Sequence, residues 1–166
     1  LAVTGTVTAT HFNSLPILVE NNSAWLGSSP TASTNSAQYN TAVGLTALDS
    51  VTTGDSNTAL GYSSLTSNTT GGQNVSVGDD SLKLETVGIG NVALGFGAMR
   101  DTGHSSVGLH TKNSIAIGYQ AGLALLGDHT DINSATGQNI LIGYQAGYGK
   151  TNYGNRGIQN VLLGAE

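Results

Sequence analysis

Apolar and polar positions recur in a fixed five-residue phrase along this chain. It reads Asn40-Thr41-Ala42-Val43-Gly44, then Asn57-Thr58-Ala59-Leu60-Gly61, Asn74-Val75-Ser76-Val77-Gly78 and Asn91-Val92-Ala93-Leu94-Gly95. The glycines at 44, 61, 78 and 95 set a period of 17 residues, held three times running. Self-similarity at a fixed period of this length marks a solenoid, in which each copy stacks on the last. In each phrase the residues one and three before the glycine share a face of a strand, because side chains alternate with period two. Those columns are Val43, Leu60, Val77, Leu94 and Thr41, Thr58, Val75, Val92. Ala42, Ala59, Ser76 and Ala93 lie between them.

Beyond the glycine the pattern continues. Three residues on come Ala47, Ser64, Ser81 and Ala98, and four on come Leu48, Leu65, Leu82 and Met99. Each copy therefore carries two apolar anchors and two small positions. Small residues flanking a glycine predict close approach of neighbouring backbone. Stretches such as residues 49–56 read as outward strand and turn, and the asparagine of the phrase reads as a turn residue. Eight or nine copies at ~4.8 Å spacing would build a body about 40 Å long.

Residues 1–21 differ. Val3, Gly5, Val7 and Ala9 alternate with threonines, and Ile17-Leu18-Val19 starts a second extended piece. This stretch is read as a connector or shaft segment, and residues 22–166 as the repeat domain. Asn22-Ser23-Ala24-Trp25-Leu26-Gly27 is a degenerate first copy in register, followed by a polar link over 28–39. The repeats are regular to about residue 99. Later anchors stand at Val107-Gly108, Ile117-Gly118, Ile142-Gly143 and Leu163-Gly164, at spacings of 13, 10, 25 and 21. Tyr119-Gln120-Ala121-Gly122 and Tyr144-Gln145-Ala146-Gly147 are matching tails. The long connections over 100–166 are expected on one face, where solenoids often bind.

Composition narrows the function classes. Only 9% of residues are charged and the net charge is −5, with five scattered Lys and Arg, so no phosphate-tracking stripe forms and nucleic acid is not an expected partner. The absence of cysteine removes disulfides and thiolate sites. No apolar run approaches ~20 residues, so no membrane insertion as a helix is expected. Starting at Leu1, the chain reads as a fragment of something longer.

Candidate chemistry is sparse. Asp79-Asp80 is the one tight acidic pair of the regular array; adjacent strand residues face opposite ways, and a solvated turn is the expected role. Asp128 and His129, in Asp128-His129-Thr130-Asp131, have no strong metal-ligand spacing but could contact sugar hydroxyls. Gly88-Ile89-Gly90 lacks the lysine of a phosphate loop. Tyr62, Phe96, Tyr119 and Tyr144 share the position after the anchor glycine, where a repeated aromatic column reads as packing. Tyr148, Lys150, Asn152, Tyr153, Asn155 and Arg156 form a Gly-rich segment of the composition that adaptable recognition loops use, and are the expected ligand contacts. No cofactor and no catalytic set are expected.

The phrase Asn-x-Ala-[Val/Leu/Ile]-Gly, with Ala or Ser three residues later, resembles the head repeats of trimeric autotransporter adhesins of the Yersinia adhesin type and repeats of phage tail fibres. Ile117-Gly118-Tyr119-Gln120-Ala121-Gly122, its copy at 142–147 and the opening residues 3–12 resemble the phage form. The resemblance implies an all-β, left-handed parallel β-roll packed as a homotrimer, on a virion or a cell surface, that attaches to a cell-surface receptor such as a carbohydrate. It also implies that His104 or His110 could hold a metal if it faced a threefold axis. A phage tail fibre is the leading expectation and a bacterial surface adhesin the alternative. A hexapeptide-repeat acyltransferase requires a period that is a multiple of six. A glycan-cleaving tailspike needs grouped carboxylates, and an ice-binding face needs a threonine array that stops at Val75.

Overall fold

Every phrase forms one short strand, and the strands stack in register. The computed structural model describes residues 17–27, 29–32, 34, 36–103, 110–123, 136–148 and 160–165. The strands are β1 (Ile17–Glu20), β2 (Ser23–Leu26), β3 (Thr41–Val43), β4 (Thr58–Leu60), β5 (Val75–Val77), β6 (Val92–Leu94), β7 (Thr111–Lys112), β8 (Ile115–Ile117), β9 (Thr136–Gly137), β10 (Ile140–Ile142) and β11 (Val161–Leu163). The main sheet runs β1-β2-β3-β4-β5-β6-β8-β10-β11, parallel from β2 onward. Ala42 pairs with Ala59, Ala59 with Ser76 and Ser76 with Ala93, so each coil repeats the one before without slippage. The chain is an all-β parallel solenoid with 17-residue coils in its regular part. β7 and β9 add a second, two-stranded parallel sheet.

The period break after Gly95 is an enlarged coil. β6 pairs directly with β8, so Gly118 follows Gly95 in the stack and no strand intervenes. Val107 and Gly108, read above as an anchor pair, lie outside the described residues. At the first end, β1 folds back antiparallel on β2 through Asn21 and Asn22, whose φ values of 47° and 59° suit a two-residue hairpin turn.

Of the two apolar positions per coil, only one is interior. Leu48, Leu65, Leu82 and Met99 are fully buried, whereas Leu60 is 46% exposed and Val43, Val77 and Leu94 are half-buried. The strand turns its small residue inward, so Ala42, Ala59, Ser76 and Ala93 line the core with Ala47, Ser64, Ser81 and Ala98. Val51 is buried too, which corrects the outward reading of residues 49–56.

Beside the strand and its turn, each coil buries about one large side chain. In four coils it comes from the turn: Leu48, Leu65, Leu82 and Met99, held at φ near +50°. That backbone costs a leucine about 1–2 kcal/mol, and burial of the side chain, worth about 1.5–3 kcal/mol, offsets it. In the first coil Trp25 fills the space from the strand, and in the coil of Gly143 Leu141 does so. There the turn position is Gly147, at φ +68°, and an added Cβ would fall on the Leu141 side chain. The coil of Gly118 has Gly122 at the turn position, followed by buried Leu123. The two Tyr-Gln-Ala-Gly tails are thus places where the large residue has moved elsewhere.

Candidate functional site

The phrase asparagines are not turn residues facing water. Asn40, Asn57, Asn74, Asn91 and Asn139 are all at most 1% exposed. Each coil's Oδ1 accepts the backbone N–H of the next member of the column: Asn57 to Asn40 at 2.9 Å, Asn74 to Asn57 at 3.1 Å, Asn91 to Asn74 at 3.0 Å and Ser114 to Asn91 at 3.1 Å. The side-chain Nδ2 donates onward to Gly54, Gly71 and Gly88 carbonyls for Asn40, Asn57 and Asn74. Ser23 and Ser114 take the place of asparagine in two coils. This interior polar ladder satisfies buried backbone groups that the narrow coil leaves over. The sequence signal was present in the fixed residue at a fixed position, but burial was not legible in it.

Outside the sheet, the residues one and three before each glycine form a continuous stripe. Leu60, Ile142, Val161 and Leu163 are 46, 38, 64 and 71% exposed, and Val75, Val77, Val92, Leu94, Ile115, Ile117 and Ile140 are half-buried between them. No charge interrupts either column. The aromatic column runs along the glycine corner. Phe96 stacks on Tyr119 with ring centroids 5.4 Å apart, and Tyr119 on Tyr144 at 5.3 Å. These rings are 42–57% exposed, so the packing expected for the column is ring on ring at the surface. Asp79 occupies the same column between Tyr62 and Phe96. It is exposed, and its carboxylate accepts the Tyr62 N–H at 3.2 Å. Asp80, its neighbour, pairs with Lys83 at 2.8 Å.

One buried ionisable site was missed by the sequence reading. Glu85 is fully buried in a column that holds Val51 and Asn68 in the two preceding coils. Its Oε1 accepts the N–H groups of Thr86, Val87 and Gly88 at 3.1, 3.4 and 2.8 Å. Its Oε2 accepts the Thr111 N–H at 3.1 Å and hydroxyl at 2.6 Å. His110 Nδ1 lies 3.5 Å from Oε1, long for a hydrogen bond but close enough to pair when the imidazole is charged. Burial alone would raise the Glu85 pKa; the nearby His110 and the hydrogen bonds from Thr111 and Gly88 outweigh it and hold the carboxyl below its usual value. The lone acid thus staples the enlarged coil shut where the period first breaks, and His110 is turned toward it.

Tyr148 is 40% exposed and donates its N–H to the Gln145 carbonyl at 2.8 Å. The Arg100 pKa is raised chiefly by its hydrogen bond to Asp101. The other expected contacts, Lys150, Asn152, Tyr153, Asn155, Arg156, Asp128 and His129, lie outside the described residues, as does His104. Among the described residues no three metal-ligating side chains converge. Comparison with protein-family models, curated proteins and solved structures finds no match.

Proposed function

We propose that this chain is the structural and receptor-binding part of a homotrimeric fibre, a left-handed β-roll in each protomer, that attaches a phage tail to a cell surface. The observation that carries the reading is the uncharged apolar stripe on the outer face of the parallel sheet. Soluble monomers rarely expose contiguous apolar surface of this kind, and three solenoids side by side cover it. The core of alanines and one large residue per coil is thin, so lateral packing supplies burial that the single coil lacks. The work of such a body is attachment. Three copies raise avidity without stronger individual contacts, and the receptor is a surface glycan or protein met by the loops after Gly95.

Sedimentation of the protein at micromolar concentration tests the assembly. A trimer is expected, and Leu94→Lys, which charges the outer stripe without touching the core, is expected to dissociate it. A stable monomer would overturn the reading. Binding to intact cells and to a glycan panel tests attachment; Tyr153→Ala is expected to weaken it with unchanged melting. Turnover of host polysaccharide would replace attachment by catalysis.

A further inference from the structure

One charge interrupts the column that follows the corner glycines. In successive coils that column holds Leu45, Tyr62, Asp79, Phe96, Tyr119 and Tyr144. Rung joins rung directly: the Tyr62 carbonyl accepts the Asp80 N–H and the Asp79 carbonyl accepts the Gly97 N–H, both at 2.9 Å. Tyr62 and Phe96 are 54 and 42% exposed, and Asp79 between them is exposed as well. Asp79 is thus the floor of a slot whose walls are the rungs of Tyr62 and Phe96. The Phe96 ring lies within 10° of parallel on Tyr119, so its other face is turned toward the Asp79 rung.

The Asp79 carboxylate has no cation paired with it among the described residues. Lys83, in the same turn, pairs with Asp80 at 2.8 Å, and Arg100 with Asp101 at 2.8 Å. The Asp79 side chain accepts the Tyr62 N–H at 3.2 Å. A neutral asparagine would serve that bond as well, so the bond does not account for the charge. A carboxylate without a counter-ion, set between aromatic residues, is an arrangement that attracts an organic cation: the ring faces and the acid draw it to the same point.

The width of the slot selects the cation. Two rungs of ~4.8 Å put the Tyr62 and Phe96 positions about 10 Å apart. A cation midway lies about 5 Å from either rung, inside the ~6 Å reach of a cation–π contact. A flat guanidinium between two rings needs them about 7–8 Å apart at ordinary contact distances, so this slot is too wide to clamp one. A rounded alkylammonium fills it. The rest of the column is closed to such a group, because Phe96, Tyr119 and Tyr144 stack on one another at 5.4 and 5.3 Å. We propose that Tyr62, Asp79 and Phe96 form a binding site for a quaternary ammonium group of the choline type. The site stands on these three residues and does not depend on how many protomers lie side by side.

The test titrates the full chain with choline chloride and with its neutral tert-butyl isostere, in which carbon replaces the quaternary nitrogen. Binding is followed by NMR at the Asp79 amide and the Phe96 ring. Choline is expected to bind about tenfold or more tightly than the isostere. Asp79→Asn keeps an acceptor for the Tyr62 N–H and removes only the charge. It is expected to lower choline binding to the level of the isostere, with unchanged melting. Tyr62→Leu, which copies Leu45 of the same column, is expected to weaken choline binding about fivefold, and Tyr144→Leu to leave it as it was. No response to choline, equal binding of choline and isostere, or parental binding by Asp79→Asn overturns the proposal. A parallel titration with phosphocholine separates the sources of the group. Equal binding assigns the site to a choline ester and binding of choline alone to the free cation, and either result upholds the site.

Discussion

Asn74 donates both its backbone N–H and its side-chain amide to one atom, Oδ1 of Asn57, each at 3.1 Å. Its own Oδ1 receives the same pair from Asn91. Asn74→Ala therefore strands a buried N–H of Asn91 and the Gly88 carbonyl, each worth about 1–3 kcal/mol. Asn74→Ser is expected to cost less, because the hydroxyl can take one N–H, as Ser23 does from Asn40 at 2.9 Å. Denaturant melts should rank the variants asparagine, serine, alanine. Equal losses for serine and alanine would mean that the ladder is not what the column is selected for.

Gly78 and Gly164 have similar backbones, φ +129° and +121°, and different surroundings. A Cβ on Gly78 would lie 2.6 Å from the Gly95 carbonyl carbon, whereas one on Gly164 meets nothing. Gly164→Ala is thus charged only for backbone strain, about 1 kcal/mol or slightly more. Gly78→Ala adds a backbone collision that separates two coils, and loss of the folded array is the expected outcome. Circular dichroism melts of the two variants separate the strain from the collision.

Glu85 makes the fold acid-sensitive in a defined direction. Its folded pKa lies below the ordinary value for a glutamate. Below that ordinary value the unfolded chain takes up a proton first, so the stability from this group is complete above it and is lost as pH falls toward the folded pKa. Glu85→Gln removes the charge from five donors and is expected to cost about 2–3 kcal/mol near neutral pH. The variant's melting temperature should then fall less steeply than the parent's as pH drops below the ordinary glutamate value of about 4.3. Parallel pH profiles would show that Glu85 does not carry the dependence.

How much of this was readable before the fold was known differs from column to column. Glycine and alanine spacing carried the coil, since a period and a small residue translate directly into stacked backbone. The inward or outward sense of the strand did not follow. Val43 and Leu60 look like core by hydrophobicity, yet the interior has room only for Ala42 and Ala59 once Leu48 and Leu65 enter from the turn. Burial of asparagine and of Glu85 was hidden for a related reason: polar side chains are normally outside, and only the unpaired backbone of a narrow coil draws them in. The candidate recognition loop was legible as composition alone.

Leu141 and Gly147 test the rule of one large residue per coil. Leu141→Ala empties a site where the side chain is 1% exposed, at a cost of about 2–5 kcal/mol. Gly147→Leu alone forces a second large side chain against Leu141, overpacking worth about 1–3 kcal/mol, on a backbone that already sits near the φ at which Leu65 and Leu82 are accepted. Together the two changes rebuild the arrangement of the regular coils, small on the strand and leucine in the turn. The double variant is expected to melt well above the sum of the single losses, with a coupling of about 0.5–3 kcal/mol. Additive losses would mean that the turn leucines and the strand leucine fill separate spaces, and the paired substitution in this sequence would need another cause.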